Sequence, residues 1–90
     1  MRIQIMVARN LRRLRVAKGL AQESLAVDAN VDRTYVSRLE RGLENPSIGL
    51  LDRLAKSLGT DVRDFFNAAA AKNPVAPLRS GRKRAKALRL

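Results

Sequence analysis

Apolar side chains recur along most of this chain with the period of a helix. Val7, Leu11 and Leu14 fall at i, i+4 and i+7 and predict one apolar face on a first helix that ends near Lys18–Gly19. Gly19 then supplies the left-handed residue with which helices often close. Gln22 to Asp28 form a short second helix with Leu25, Ala26 and Ala29 inward. The small Ala26 permits close approach of a neighbour. Asn30, a residue that tolerates positive φ, turns the chain, and Val31 plugs the turn against the core. A third helix runs from about Asp32 to Arg41 and stops at Gly42. Residues 42–46 read as a loop, and Ser47 is the natural N-cap of a fourth helix, because Pro46 blocks backward extension. Leu50, Leu51, Leu54, Ala55 and Leu58 form its buried stripe, and Gly59 ends it. Asp61 caps a fifth helix through Phe65, Phe66 and the alanine run to Ala71, with Asp64 near its positive end. Five helices and no strand pattern define an all-α, compact five-helix bundle. Its second and third helices are separated only by the Asn30 turn.

The periodicity stops at Asn73. Pro74 and Pro77 interrupt it and basic residues follow, so the chain divides into a helical domain, 1–71, and a basic tail, 72–90, flexible or a short basic helix. Charge sharpens that division. The formal net charge is +11, but residues 1–71 hold 12 basic and 8 acidic groups, whereas residues 72–90 hold 7 basic and none acidic. Both excesses favour a polyanionic partner. Cysteine and histidine are absent, which excludes a disulfide framework, a thiol nucleophile and the usual transition-metal ligands. No phosphate-binding glycine loop occurs, and Asp61 and Asp64 read as caps rather than an acid pair, so no enzyme, cofactor or metal is expected. No apolar run reaches the ~18 residues of a membrane span, and the opening MRIQIMVARN does not read as a secretory signal. A cytoplasmic protein is the simplest expectation.

The third helix carries the candidate chemistry. At about 100° per residue, Val36, Leu39 and Glu40 share one side, with Asp32 near it, and Thr34, Ser37, Arg38 and Arg41 share the other. The outer set of hydroxyls and guanidinium groups suits a DNA major groove. Arg33 and Arg38 can each offer paired donors to guanine O6 and N7, and Thr34 and Ser37 can meet base edges, thymine methyls or phosphate. Arg33 and Thr34, at the helix start, would reach deepest. Glu40 falls on the inward side, where an unpaired carboxylate costs several kcal/mol. Arg15 lies on the inward stripe of the first helix, one turn beyond Leu11. An Arg15–Glu40 ion pair clamping the third helix to the first is therefore expected, for orientation rather than net stability.

The run from Leu11 to Phe66 resembles the lambda-repressor/Cro-like (XRE-type) helix-turn-helix family of small transcriptional regulators. Arg15, Gly19–Leu20–Ala21–Gln22, Leu25–Ala26, Asn30–Val31, Val36–Ser37–Arg38–Leu39–Glu40–Arg41–Gly42, Asn45–Pro46–Ser47 and Leu58–Gly59 carry the resemblance. It implies base contacts from Arg33, Thr34, Ser37 and Arg38. It implies a phosphate contact from Gln22, which also steadies the third helix, and backbone contacts from Arg41, Asn45 and Tyr35. It further implies double-stranded DNA as partner and a homodimer on a pseudo-palindromic operator, as in phage repressors, restriction–modification controller proteins and antitoxins. Ala21 departs from the family's Ser or Thr cap, Asn30 replaces the usual turn glycine, and Val27 is apolar where charge is commoner. The fourth and fifth helices, with Phe65 and Phe66, are either the dimer surface or ordinary core. No sensor domain is visible, so control by concentration, autoregulation or a second regulatory protein fits best. An antitoxin-like or adaptor module, meeting another protein through Val27 and the fifth helix, stays as the alternative.

Overall fold

The computed structural model describes residues 1–73. The tail expected at 72–90 therefore lies, from Pro74 onward, outside the described residues. Those described form α1 (Ile3–Ala17), α2 (Gln22–Ala29), α3 (Arg33–Glu40), α4 (Ile48–Leu58), a 3₁₀ helix (Val62–Phe66) and α5 (Ala68–Ala71), with no strand among them. Val7, Leu11, Leu25, Val36, Leu39, Leu51, Leu54, Leu58 and Phe65 form one core. All are aliphatic except Phe65, as a chain poor in aromatics requires. Helix α1 packs on α3, the 3₁₀ helix and α5, while α2 packs on α3 and α4. Removing one core leucine would cost about 2–5 kcal/mol, a large part of what a domain of this size holds.

The helix ends follow the local chemistry. Helix α2 closes on Asn30 at φ 58°, ψ 52°, and α3 closes before Gly42 at φ 76°. In both, a later amide reaches back to a carbonyl of the last turn, Val31 N–H to Ala26 O at 2.8 Å and Leu43 N–H to Arg38 O at 3.0 Å. Gly42 has a second reason to lack a side chain, because a Cβ there would stand 2.6 Å from Ile5 Cδ1. Ser47 caps α4 by accepting from Leu50 N–H at 3.0 Å. Ala21 begins α2 without a side-chain cap.

The fifth helix departs from the expected continuous run through Ala71. It is a 3₁₀ helix, then Asn67 in an extended conformation (ψ 100°), then four helical alanines. Asn10 explains the break. Its side chain is fully buried, and Nδ2 donates to Phe65 O at 2.8 Å and Asn67 O at 3.0 Å. Two carbonyls that a continuous helix would use internally are thus taken by α1. Asn67 then restarts the helix by accepting from Ala70 N–H at 3.0 Å. Before the break, Asp61 and Asp64 form the expected caps. Asp61 accepts from Arg63 N–H at 2.8 Å, and Asp64 accepts from Asp61 N–H at 3.1 Å. One smaller difference lies in α4, where Leu50 is half-buried rather than buried.

Candidate nucleic-acid interface

Helix α3 is held with its polar side outward. Asp32 caps it, accepting from Thr34 N–H at 2.9 Å. Val36 and Leu39 are 0% and 1% exposed and fix the inward side in the core. Arg33, Thr34, Arg38 and Arg41 are exposed on the other side, with Ser37 and Tyr35 half-buried beside them. The amphipathic split expected from the helical angle is thus the one present, and none of the four exposed side chains is covered by the described helices.

The expected clamp is present in bidentate form. Arg15 Nε donates to Glu40 Oε2 at 2.6 Å and Nη2 to Oε1 at 2.9 Å, with the two side chains 8% and 4% exposed. Arg15 Nη1 also donates to Leu20 O at 2.7 Å, and Gln22 Nε2 donates to Glu40 Oε1 at 3.0 Å. One carboxylate therefore joins α1, the start of α2 and the end of α3. Such charge-assisted, fork-like bonding fixes direction as well as distance. Gln22 accordingly steadies α3 through one N–H of its amide nitrogen, and the second N–H of that nitrogen is not used by this network.

Three residues that matter here were not singled out from the pattern. Arg53 of α4 donates to Ala29 O at 3.2 Å and Asn30 O at 2.9 Å, strapping the turn between α2 and α3 to α4. Glu44, in the loop after α3, accepts from Arg38 Nε at 2.7 Å. Asn10, described above, is the third. Asn10 did carry a signal, since it shares the stripe of Val7, Leu11 and Leu14. A polar residue in that stripe has to be satisfied by backbone or another side chain. Arg53 and Glu44 carried none. Burial, and after it the field of Glu44, raises the pKa of the Tyr35 phenol above its ordinary value.

A second surface flanks the first. Ile48, Ile3 and Phe66 are 80%, 52% and 43% exposed, and together with Asn45 and Pro46 they border a shallow apolar cleft at the start of α4. Of the two phenylalanines, Phe65 is core and Phe66 lies on this patch. Asn45, expected near the DNA backbone, lies between the patch and α3, with its side of the loop exposed.

An exposed basic-and-hydroxyl helix, braced by a short partner helix across a three-residue turn, defines a helix-turn-helix protein. Residues 11–65 match the helix-turn-helix family model, and the chain belongs to this family of small transcriptional regulators. It is similar to the control protein C.BamHI of Bacillus amyloliquefaciens, at 32% identity over 72% of this chain and 82% of that protein. The crystal structure of the restriction–modification controller protein C.AhdI from Aeromonas hydrophila is similar at 41% identity. It covers 70% of this chain and 96% of that one, with a TM-score of 0.68. A third similar structure is the controller protein C.Esp1396I, solved as a tetramer in complex with its natural 35-base-pair operator. That chain is 35% identical over 73% of this chain and 87% of its own length, with a TM-score of 0.67. Other relatives are longer, and the chain spans 42% of the regulator SlrR of Bacillus subtilis.

Proposed function

We propose that this protein is a sequence-specific DNA-binding regulator of the repressor or controller type, and not an enzyme. One observation carries the reading: α3 presents Arg33, Thr34, Ser37 and Arg38 outward while Arg15 and Glu40 hold its opposite side. On entry into a major groove, Arg33 and Thr34 lead, Arg38 reads a guanine, and Ser37 meets a base edge or methyl. Gln22, Tyr35, Arg41 and Asn45 surround that helix as donors to phosphate. The reading implies a cytoplasmic protein. Among the described residues no helix is long and apolar enough to cross a membrane.

A single α3 reads only a few base pairs, so the functional unit is a homodimer on two half-sites about one helical turn, ~34 Å, apart. The patch of Ile3, Ile48 and Phe66 is the surface for the second copy. It is apolar, contiguous and set beside the DNA face rather than on it, and the C.Esp1396I chain is a tetramer on its operator. Residues 1–71 are the reading domain, and the basic residues after them add sequence-independent attraction to phosphate.

Selection of bound sequences from a random DNA pool, repeated at two salt concentrations, tests this. A recovered motif with two-fold symmetry supports the reading, and a pool that stays random after enrichment refutes it. Val27, 73% exposed on α2, supports a second reading in which the outer face of that helix meets another regulatory protein. That reading predicts a defined complex that Val27→Asp abolishes while DNA selection is unchanged.

A further inference from the structure

Glu44 is an acid on a face otherwise made for an anion. Between Asp32 and Asn45 there are three arginines and three acids. Two of the acids are accounted for by the fold: Asp32 caps α3 and Glu40 holds Arg15. Glu44 instead pairs with Arg38, a residue of the exposed side, at 2.7 Å, with side-chain exposures of 45% for Arg38 and 27% for Glu44. An ion pair that open to water adds little to stability, and a carboxylate beside phosphates is repelled by them. Folding does not explain the pair, and general attraction to DNA would be better served without it.

The atoms used indicate what it does. Glu44 Oε2 takes Nε of Arg38, and among the described residues neither Nη donates to the protein. Arginine can meet the O6/N7 edge of guanine side-on, through Nε and one Nη, or end-on, through both Nη groups. While Nε is occupied, the end-on fork is the one left free, and the bond biases the guanidinium toward that direction. The partner carboxylate also offsets the charge of that arginine, so placing it against a phosphate gains little from counterion release.

We propose that Glu44 is a specificity-determining residue: by holding Arg38 through Nε it aims both Nη groups at a guanine and withholds that arginine from phosphate. The inference rests on α3 being the groove-reading helix.

The test compares the full-length protein with its Glu44→Ala, Glu44→Gln and Arg38→Ala variants, with urea midpoints as the check on folding. Affinities are measured for the selected sequence, for the same sequence changed at the guanine that Arg38→Ala ceases to prefer, and for random DNA over a range of salt. Glu44→Ala is expected to lower the guanine preference about tenfold. It should also tighten random-DNA binding and steepen the log–log salt slope by about one phosphate contact. Glu44→Gln keeps an acceptor for Nε but not the charge, so it should keep most of the preference while gaining the steeper slope. Glu44→Ala with the wild-type preference, or either variant with unchanged binding to random DNA, overturns the proposal. A wild-type protein that selects no sequence overturns the groove-reading function and this inference with it. A wild-type protein that selects well but is indifferent to Glu44 overturns this inference alone.

Discussion

The Arg15–Glu40 clamp offers the sharpest test of how this fold controls its reading helix. Both side chains are nearly excluded from water, at 8% and 4% exposure. Glu40→Leu leaves the Arg15 guanidinium with only the Leu20 carbonyl, and Arg15→Met leaves the Glu40 carboxylate with only the Gln22 amide. Breaking a buried pair from one side costs about 3–5 kcal/mol. A domain of this length holds about 4–11 kcal/mol in total, so each single variant should lose a large share of it. The double variant replaces both charges by apolar groups of similar length and strands neither. It should be no less stable than the better single variant, which puts the coupling energy at about 3 kcal/mol or more. Urea unfolding with a common m-value measures all four proteins. A coupling below about 0.5 kcal/mol would show that the two charges act separately. The same double variant tests the purpose of the pair. If the clamp orients α3 rather than stabilising the fold, a folded double variant loses discrimination between selected and random DNA. A double variant that discriminates like the wild type refutes the orienting role.

Other outcomes are expected from the same structure. Ala21→Ser supplies the missing cap of α2 and should raise stability by about 1 kcal/mol, read as a higher urea midpoint. Ile48→Asp should leave the fold intact, because Ile48 is 80% exposed, and convert a sedimenting dimer to monomer; a monomeric wild type would dismiss the patch as the self-association surface. Deleting residues 73–90 removes six basic groups. It should weaken specific and random DNA alike and flatten the log–log salt slope by up to about 5 units; a change confined to sequence preference would refute that role. Hydrogen bonds from the Thr60 hydroxyl to Asp64, and from the Arg63 side chain and amide to Asp61, hold both carboxyls below the usual aspartate value. Groups depressed in the folded state add stability above their unfolded pKa and lose it as pH falls through the folded one. Urea midpoints should therefore hold steady down to about pH 4 and then drop, less steeply in Asp61→Asn/Asp64→Asn.

Much of this was legible because local and long-range chemistry agree. Gly42 and Asn30 stop helices because each tolerates positive φ, and Ser47 and Asp61 start them with their own side-chain oxygens. The Arg15–Glu40 pair could be inferred because each charge sat in an apolar stripe, and a charge in such a place needs a partner. The break at Asn67 was missed because its cause is 57 residues away, in Asn10 of α1. Glu44 and Arg53 were missed for a related reason. A loop has no period to violate, and a long surface side chain can swing to backbone carbonyls that the sequence does not place nearby.

Arg53 has a mechanical consequence. Helix α4 carries Ile48 at its first residue and Arg53 near its middle, about 8 Å along the axis at 1.5 Å per residue. One stiff rod therefore touches both the apolar flank and the hinge of the reading unit. The lever arm between them is too short to bend, so any rotation imposed at the flank is delivered whole to the Asn30 corner. In a dimer built on that flank, the spacing of the two reading helices would depend on α4 as well as on the contact itself, and a site of the wrong length would have to be met by deforming the DNA.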